Sequence, residues 1–312
     1  MSDSRIVVVG SSNTDMVVRS DKLPLPGETV LGGDLVIAPG GKGANQAVAA
    51  VRLGAPVTFV AKVGKDMFGR QALENFRREG LDVRFVLEDP AAPSGVALIV
   101  VGPGGQNIIA VASGANHRLR PADIGAAREA FTGCAVVLLQ LETPIETVLA
   151  AAKAGRNVGA VVILNPAPAQ PLPEELYRSV DIITPNETEA EILTGKNDPQ
   201  TAAAVLLERG LKMVIVTLGK DGALVATKGH PPQRIAGFNV HAVDATAAGD
   251  AFNGALSVAL TRKYFKIILE TRDVTDTIRY AHAVAALSVT RLGAQPSLPT
   301  ADEVKYFLTN IF

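Results

Sequence analysis

Tryptophan is absent from this 312-residue chain, cysteine occurs once, and histidine, tyrosine and methionine occur four times each. One cysteine excludes an intrachain disulfide framework and any multi-cysteine metal centre. Cys134 opens the apolar run CAVVLLQL and reads as a small buried hydrophobe rather than a nucleophile. An excess of either charge is also lacking. Lys and Arg number 30 against 31 Asp and Glu, so electrostatics gives no ground for a nucleic acid or an anionic membrane as partner. No apolar run reaches 18 residues, and no spanning helix is expected. The opening MSDSRIVVVG is too short in its apolar part, and too poor in flanking cations, to be a signal segment. A reducing, cytoplasmic location is the expectation.

What is present is an α/β pattern, 47% apolar, with 29 Gly and 19 Pro. Short β-branched runs (RIVVVG, VTFVAKVG, AVVLLQLE, AVVILNPAP, DIITPNE, MVIVTLG) alternate with stretches of helical spacing such as DMFGRQALENFRREG and PIETVLAAAKAG. Apolar strands without alternation are buried on both faces. They predict a mostly parallel sheet between two helical layers, a three-layer α/β/α domain spanning residues 1–312, with right-handed crossovers. Residues 16–38 and 95–112 break the pattern with half-polar extended pairs and Gly/Pro turns; they predict strands outside the main sheet, a small β lid. The C-terminal third turns helical, with AAGDAFNGALSVALTRKYF and VTDTIRYAHAVAALSVTRLG as the longest candidates.

Several short stretches can carry chemistry. In VDATAAGDAFNGA an extended segment feeds a loop and then a helix. Unpaired N–H groups and the helix dipole make an anion site there, with Ala247, Ala248 and Gly249 adding no bulk. Asp250 in the first turn is either a proton acceptor facing that site or simply an acid that stabilises the dipole. In APGGKGANQAVAAVRLG, glycines around Lys42 permit close approach to a ligand, and Lys42 and Asn45 offer donors. A structural turn explains the same glycines. The P-loop pattern GxxxxGK[ST] does not occur, and VVVGSSNTD has one glycine where a dinucleotide fingerprint has three. Asn13 and Asp15 in that stretch suit vicinal hydroxyls or an Asx turn, and Glu142 at another strand end invites the same two readings. In PNETEAEIL, Asn186 and Glu189 share a helix-start face that suits a hydrated divalent ion, or form a cap. VTLGKDGALVA reads as a hairpin whose Gly219 and Gly222 would let a ribose or base approach.

In their order along the chain, GSSNTDMV, PLPGETV, PGGKGANQAVAAVRLGA, VGKDMFG, NPAPA, PNETEAEILTG, TLGKDGAL, AAGDAFNGAL and VTRLGAQPS resemble the ribokinase (PfkB) family of sugar kinases over nearly the whole length. The resemblance implies ATP-dependent phosphorylation of a pentose's primary hydroxyl, the 5-hydroxyl of D-ribose, and a homodimer built through the lid. It implies that Asn13, Asp15, Gly41, Lys42, Asn45 and Glu142 hold the sugar, and that Asp250 is the general base. The amides of Ala247, Ala248 and Gly249 would form the anion hole. Asn186 and Glu189 would organise Mg²⁺ and phosphate through water, while Thr217, Gly219, Gly222 and Gly249 border the nucleotide. His282 matches a position near the adenine, although a lone His on an apolar helix is equally a core side chain. Asp244, Thr246, Ser288, Arg291, Gly293 and Ser297 match a monovalent-cation loop, with K⁺ the expected ion. The chain departs from the family at Ala245, where a Thr is usual. Kinases for fructose, a deoxy sugar or a nucleoside, and a non-catalytic sugar-binding protein of the same fold, are the alternatives.

Overall fold

The computed structural model describes residues 5–261 and 274–310. Nine strands form the main sheet: β1 (Ile6–Val9), β4 (Val57–Gly64), β5 (Asp82–Asp89), β8 (Val136–Leu139), β9 (Val161–Leu164), β10 (Ile182–Ile183), β11 (Met213–Thr217), β12 (Ala223–Thr227) and β13 (Gln233–Ile235). Their spatial order is β13-β12-β11-β10-β9-β8-β1-β4-β5. The run from β11 to β5 is parallel, and β12 and β13 add an antiparallel edge. Along β1, Ile6 and Val8 face one apolar core while Val7 and Val9 face the other. Pleating sends successive side chains to opposite faces, so a strand covered on both sides needs an unbroken apolar run.

On the first face lie α1 (Lys42–Arg52), α2 (Met67–Glu79), α9 (Ala248–Thr261), α10 (Thr275–Ser288) and α11 (Ala301–Asn310). The second face carries α3 (Pro121–Ala126), α4 (Arg128–Phe131), α5 (Ile145–Asn157), α6 (Glu174–Ser179), α7 (Glu187–Thr194) and α8 (Pro199–Glu208). The three-layer expectation holds. Of the long helix predicted over AAGDAFNGALSVALTRKYF, residues 262–265 lie outside the described residues. Among the described residues no helix is long and apolar enough to cross a membrane.

A separate four-stranded sheet, ordered β3-β2-β6-β7, is built from β2 (Asn13–Arg19), β3 (Leu35–Gly40), β6 (Gly95–Val101) and β7 (Asn107–Ala112). It corresponds to the two expected lid segments, but its first strand begins at Asn13 rather than residue 16. Asn13 and Asp15 are therefore on the small sheet, not on a loop leaving β1. The cause is pairing with glycine: Asn13 stands opposite Gly40 and Gly95. A Cβ at Gly95 would lie 2.2 Å from Asn13 Oδ1, and one at Gly40 would lie 2.2 Å from an Asp15 oxygen. Asp15, Val17, Val36, Ile99 and Ile109 line one side of a cleft of about 970 Å³. The loops at residues 242–246 and 292–296 form the other side.

Candidate active site

The N-terminus of α1 closes against the end of β1 because Gly41 and Gly43 carry no side chains. Gly41 has φ of 89°, and a Cβ there would meet Asn13 N at 2.6 Å; a Cβ on Gly43 would meet Ser11 N at 2.5 Å. That approach lets Glu142, just beyond β8, accept from the Lys42 N–H at 2.9 Å and from the Ser11 hydroxyl. Asn13 is buried and held by Asn116, whose Nδ2 donates to Asn13 Oδ1 at 2.8 Å while its Oδ1 accepts from Ser12 N at 2.9 Å.

Asp250 begins the buried face of α9, 5% exposed. Its Oδ2 accepts from Asn45 Nδ2 and its Oδ1 from Gln46 Nε2, both at 2.9 Å. Helices α1 and α9 come this close because of Gly254, one turn further along, whose Cβ would sit 2.5 Å from Ala49 Cβ. Asp250 shares a cavity of about 190 Å³ with Lys42, Asn186, Glu189, Thr217 and Gly249. Ala245 lies on its wall, at the position where the family's usual hydroxyl is missing.

The charges are coupled. Burial pushes the Asp250 carboxyl up, against Lys42 and the amides of Asn45 and Gln46, which favour its ionised form. Burial also raises Asp15 to about 6, reinforced by Glu142 and Asp250. For Lys42, desolvation opposes the ammonium, but Asp250, Glu142 and Glu189 outweigh it and its pKa is raised. A permanent cation thus faces an acidic cavity. Burial likewise raises Glu189, opposed by the Asn186 N–H and Lys42.

At the start of α9, Ala247 has a φ of 62°, a left-handed conformation unusual for a residue with a Cβ. Its carbonyl accepts from Ala251 N at 2.8 Å, while Ala248 N donates to Ala245 O at 3.2 Å. The Ala248 amide is thus already engaged within the turn. Gly249 and Asp250, as the next residues of the helix, have N–H groups with no acceptor inside it. Of the three amides expected to form an anion hole, that of Ala248 is thus taken up within the turn.

Asn186 and Glu189 form a capping box at α7: Glu189 N donates to Asn186 Oδ1 at 2.8 Å, and Asn186 N donates to Glu189 Oε2 at 2.9 Å. The cap and the cavity coexist, since both residues line the cavity. Asn186 also bridges Thr217 at the end of β11. Gly219 and Gly222 make the expected turn between β11 and β12. Gly222 is fixed by packing, with a Cβ placed 2.0 Å from Ile235 O, whereas Gly219 faces open space. His282 lies in the core, 7% exposed, its ring 5.0 Å from that of Phe252; desolvation lowers it to about 4, so the imidazole is neutral.

Asp244 ties together the two halves of the loop that the resemblance assigns to a monovalent cation. Its Oδ1 accepts from Thr246 N and its Oδ2 from Gly293 N, both at 2.9 Å, and Val243 N donates to Val289 O at 2.7 Å. Desolvation opposes the Asp244 charge, but these donors prevail and its pKa is lowered. An ionised carboxylate among loop carbonyls fits a monovalent cation. Ser288 and Ser297 turn their hydroxyls onto Ala285 O and Ala294 O, each at 2.8 Å, and Arg291 pairs with Glu303 at 2.7 Å. Arg291 is thus engaged by an ion pair, while the two serine hydroxyls donate locally and keep their oxygen lone pairs. Among the described residues no three His, Cys, Asp or Glu side chains converge as a metal cage. The Asn186–Glu189 pair accordingly fits Mg²⁺ that keeps its waters and is carried in by phosphates.

Gln46, Gln140, Asn165, Asn116 and Ser11 also belong to the site and were not singled out from the sequence. Uncharged side chains in helices and at strand ends give no local signal, because their importance comes from distant partners. The adjacent NQ in the α1 motif was the only available hint.

A cavity at a helix start, lined by Lys42, the buried Asp250 and Glu189, suits the binding of an anionic group beside a carboxylate. The chain matches the pfkB family carbohydrate kinases over residues 3–301. It belongs to that family and is a sugar kinase. It is 44% identical to a ribokinase of Haemophilus influenzae over 97% of this chain and 98% of that protein. A deoxyribokinase of Salmonella typhi is 38% identical over 97% and 98%. The solved structure of Arabidopsis thaliana ribokinase complexed with ribose and ATP is 33% identical. Its TM-score is 0.87, with 99% of each chain covered.

Proposed function

We propose that this chain transfers the γ-phosphoryl group of ATP to the 5-hydroxyl of D-ribose, giving D-ribose 5-phosphate and ADP. The observation that carries the reading is Asp250: a buried carboxylate receiving only N–H donors, at the helix start where unpaired amides face the same cavity as Lys42. Asn13 and Asp15 of the small sheet and Glu142 just beyond β8 would hold the sugar hydroxyls, with the Gly41 backbone close beside Asn13. The Asn45 Oδ1 atom is buried without a hydrogen-bond partner and would accept from a sugar hydroxyl.

In the transfer, the ribose O5 attacks Pγ, the bond from Pγ to the β–γ bridging oxygen breaks, and Asp250 takes the O5 proton. The amides at the start of α9 and the Lys42 ammonium offset charge building on the equatorial oxygens. Asn186, Thr217, Gly219 and Gly222 would border the nucleotide. His282, packed in the core, would support the adenine pocket from behind rather than by a charge. When bound, Mg²⁺, held through water by Asn186 and Glu189, supplies neutralisation of phosphate charge. Asp244 and the carbonyls at 246, 288, 291, 293 and 297 would hold K⁺ beside the α9 start. Asp250→Ala should lower turnover by about 10²–10⁴ with ribose binding retained; near-normal turnover would remove Asp250 as the base. ADP release on adding ribose, 2-deoxyribose, fructose or adenosine with Mg-ATP tests the substrate. A preference for 2-deoxyribose, the substrate class named for the Salmonella relative, would shift the assignment, and no ADP with any of them would leave a binding protein.

The face of the small sheet turned away from the cleft exposes Leu35, Ile37, Leu98 and Ile108, each about half accessible. Such apolar strands need covering, and a second copy of the chain would do so. Sedimentation giving a monomer at micromolar concentration would refute the dimer. The one cysteine, buried and in no disulfide, suits a reducing cytoplasm.

A further inference from the structure

Behind Asp250 lies a run of buried amides with a defined polarity. Thr184 O, a backbone carbonyl that can only accept, takes a hydrogen bond from Asn165 Nδ2 at 3.2 Å, which turns Asn165 Oδ1 toward Gln46. Gln46 Nε2 then donates one hydrogen to Asn165 Oδ1 at 3.1 Å and the other to Asp250 Oδ1 at 2.9 Å. The Gln46 carbonyl is occupied on its far side, accepting from Gln140 Nε2 at 2.6 Å. Gln46 and Gln140 are fully buried. Flipping the Gln46 amide would set oxygen against Asn165 Oδ1, whose orientation Thr184 O fixes, so that contact forbids it; Gln140, whose Oε1 has no partner, follows the Gln46 amide rather than fixing it.

We propose that Gln46 is a positioning residue whose amide, oriented through Asn165, keeps Asp250 ionised and its free lone pairs aimed at the attacking hydroxyl. Asn45 already donates to the other oxygen, so a proton on Oδ1 would have to displace an N–H that has nowhere else to go. The remaining charged groups facing Asp250 are Lys42, which favours its charge, and Glu142, Asp15 and Glu189, which oppose it. The inference rests on Asp250 being the base.

Gln46→Met keeps the volume and removes the donor. A hydrogen bond to a charged acceptor contributes enough that its loss should raise the Asp250 titration by about one to two pH units. Asp250 titration followed by carboxyl carbon NMR, together with the pH profile of kcat/KM, reads this. The expected result is an acidic limb moved upward by the same amount, with turnover lost on its acidic side and recovered at alkaline pH, and sugar KM little changed. Asn165→Ala, which frees the Gln46 amide to turn, should shift the limb in the same direction by less, and serves if Gln46→Met does not fold. An Asp250 titration unmoved in both variants overturns the inference. A titration that moves while the kinetic limb does not supports the amide array and removes Asp250 as the base.

Discussion

Gly254→Ala tests how closely the fold and the catalytic geometry are tied. Helix propensity by itself predicts a gain, since alanine is favoured over glycine in a helix interior by about 1 kcal/mol. Tertiary packing predicts the reverse. The new Cβ would lie 2.5 Å from Ala49 Cβ, 2.9 Å from Gln46 O and 3.2 Å from Ala50 N, none of which can rotate away. Carbon atoms in contact sit about 3.5–4.0 Å apart, so α1 and α9 must separate by roughly 1 Å. Overpacking of this kind costs about 1–3 kcal/mol, enough to cancel the propensity gain and leave a net loss of up to about 2 kcal/mol. The same displacement stretches the two 2.9 Å bonds that Asn45 and Gln46 make to Asp250. At roughly 3.9 Å neither is a hydrogen bond. A 1 Å misplacement at a reacting group can cost about 10² in rate, so turnover should fall by about that factor. Urea unfolding and ADP-coupled turnover measure the two effects together. Ala49→Gly in the same chain removes the 2.5 Å contact and should restore part of both. A Gly254→Ala protein that is more stable than the parent and fully active would refute the reasoning.

Asp15 makes a pH-dependent contribution. Its folded pKa of about 6 is above the ordinary 3.8, so the folded protein binds more protons between those values and stability falls as pH rises through that window. The cost above pH 6 is on the order of 2–3 kcal/mol. Asp15→Asn should therefore stabilise the chain by about that much at pH 8. It should give no such gain near pH 3.5, roughly the unfolded pKa, while weakening sugar binding; equal stabilisation at both pH values by chemical denaturation would contradict this. Ala247→Gly should raise stability by about 0.5–1 kcal/mol, because glycine adopts a φ of 62° without strain; an unchanged or lower melting temperature would count against strain there. Asp244→Ala releases Thr246 N and Gly293 N together, and should flatten the response of turnover to KCl against choline chloride; an undiminished response would remove Asp244 from the cation loop.

The layered architecture was legible because burial on both sheet faces demands unbroken apolar runs, and β1, β8, β9 and β11 carry them. Charged and glycine-rich site segments were legible too, since Lys42, Asp250 and Glu189 stand out against apolar neighbours. The boundaries and the partners were not. Asn13 and Asp15 joined the small sheet because glycines at 40 and 95, far away in sequence, left room for their side chains. The engagement of the Ala248 N–H was hidden too, because it depends on the turn bringing Ala245 O within 3.2 Å.

By itself, then, the sequence determined which segments are strands and helices, which loops are free of bulk, and where a base, a lysine and a cap could stand. Local spacing and side-chain chemistry suffice for that. Only the tertiary structure decided what Asp250 is. Whether it is a dipole-stabilising acid or a carboxylate aimed by Asn45 and Gln46 depends on α1 and α9 meeting at Gly254, some two hundred residues from the amides it brings within reach. Hydrogen bonds act over about 3 Å, and only the packing of distant elements sets distances on that scale.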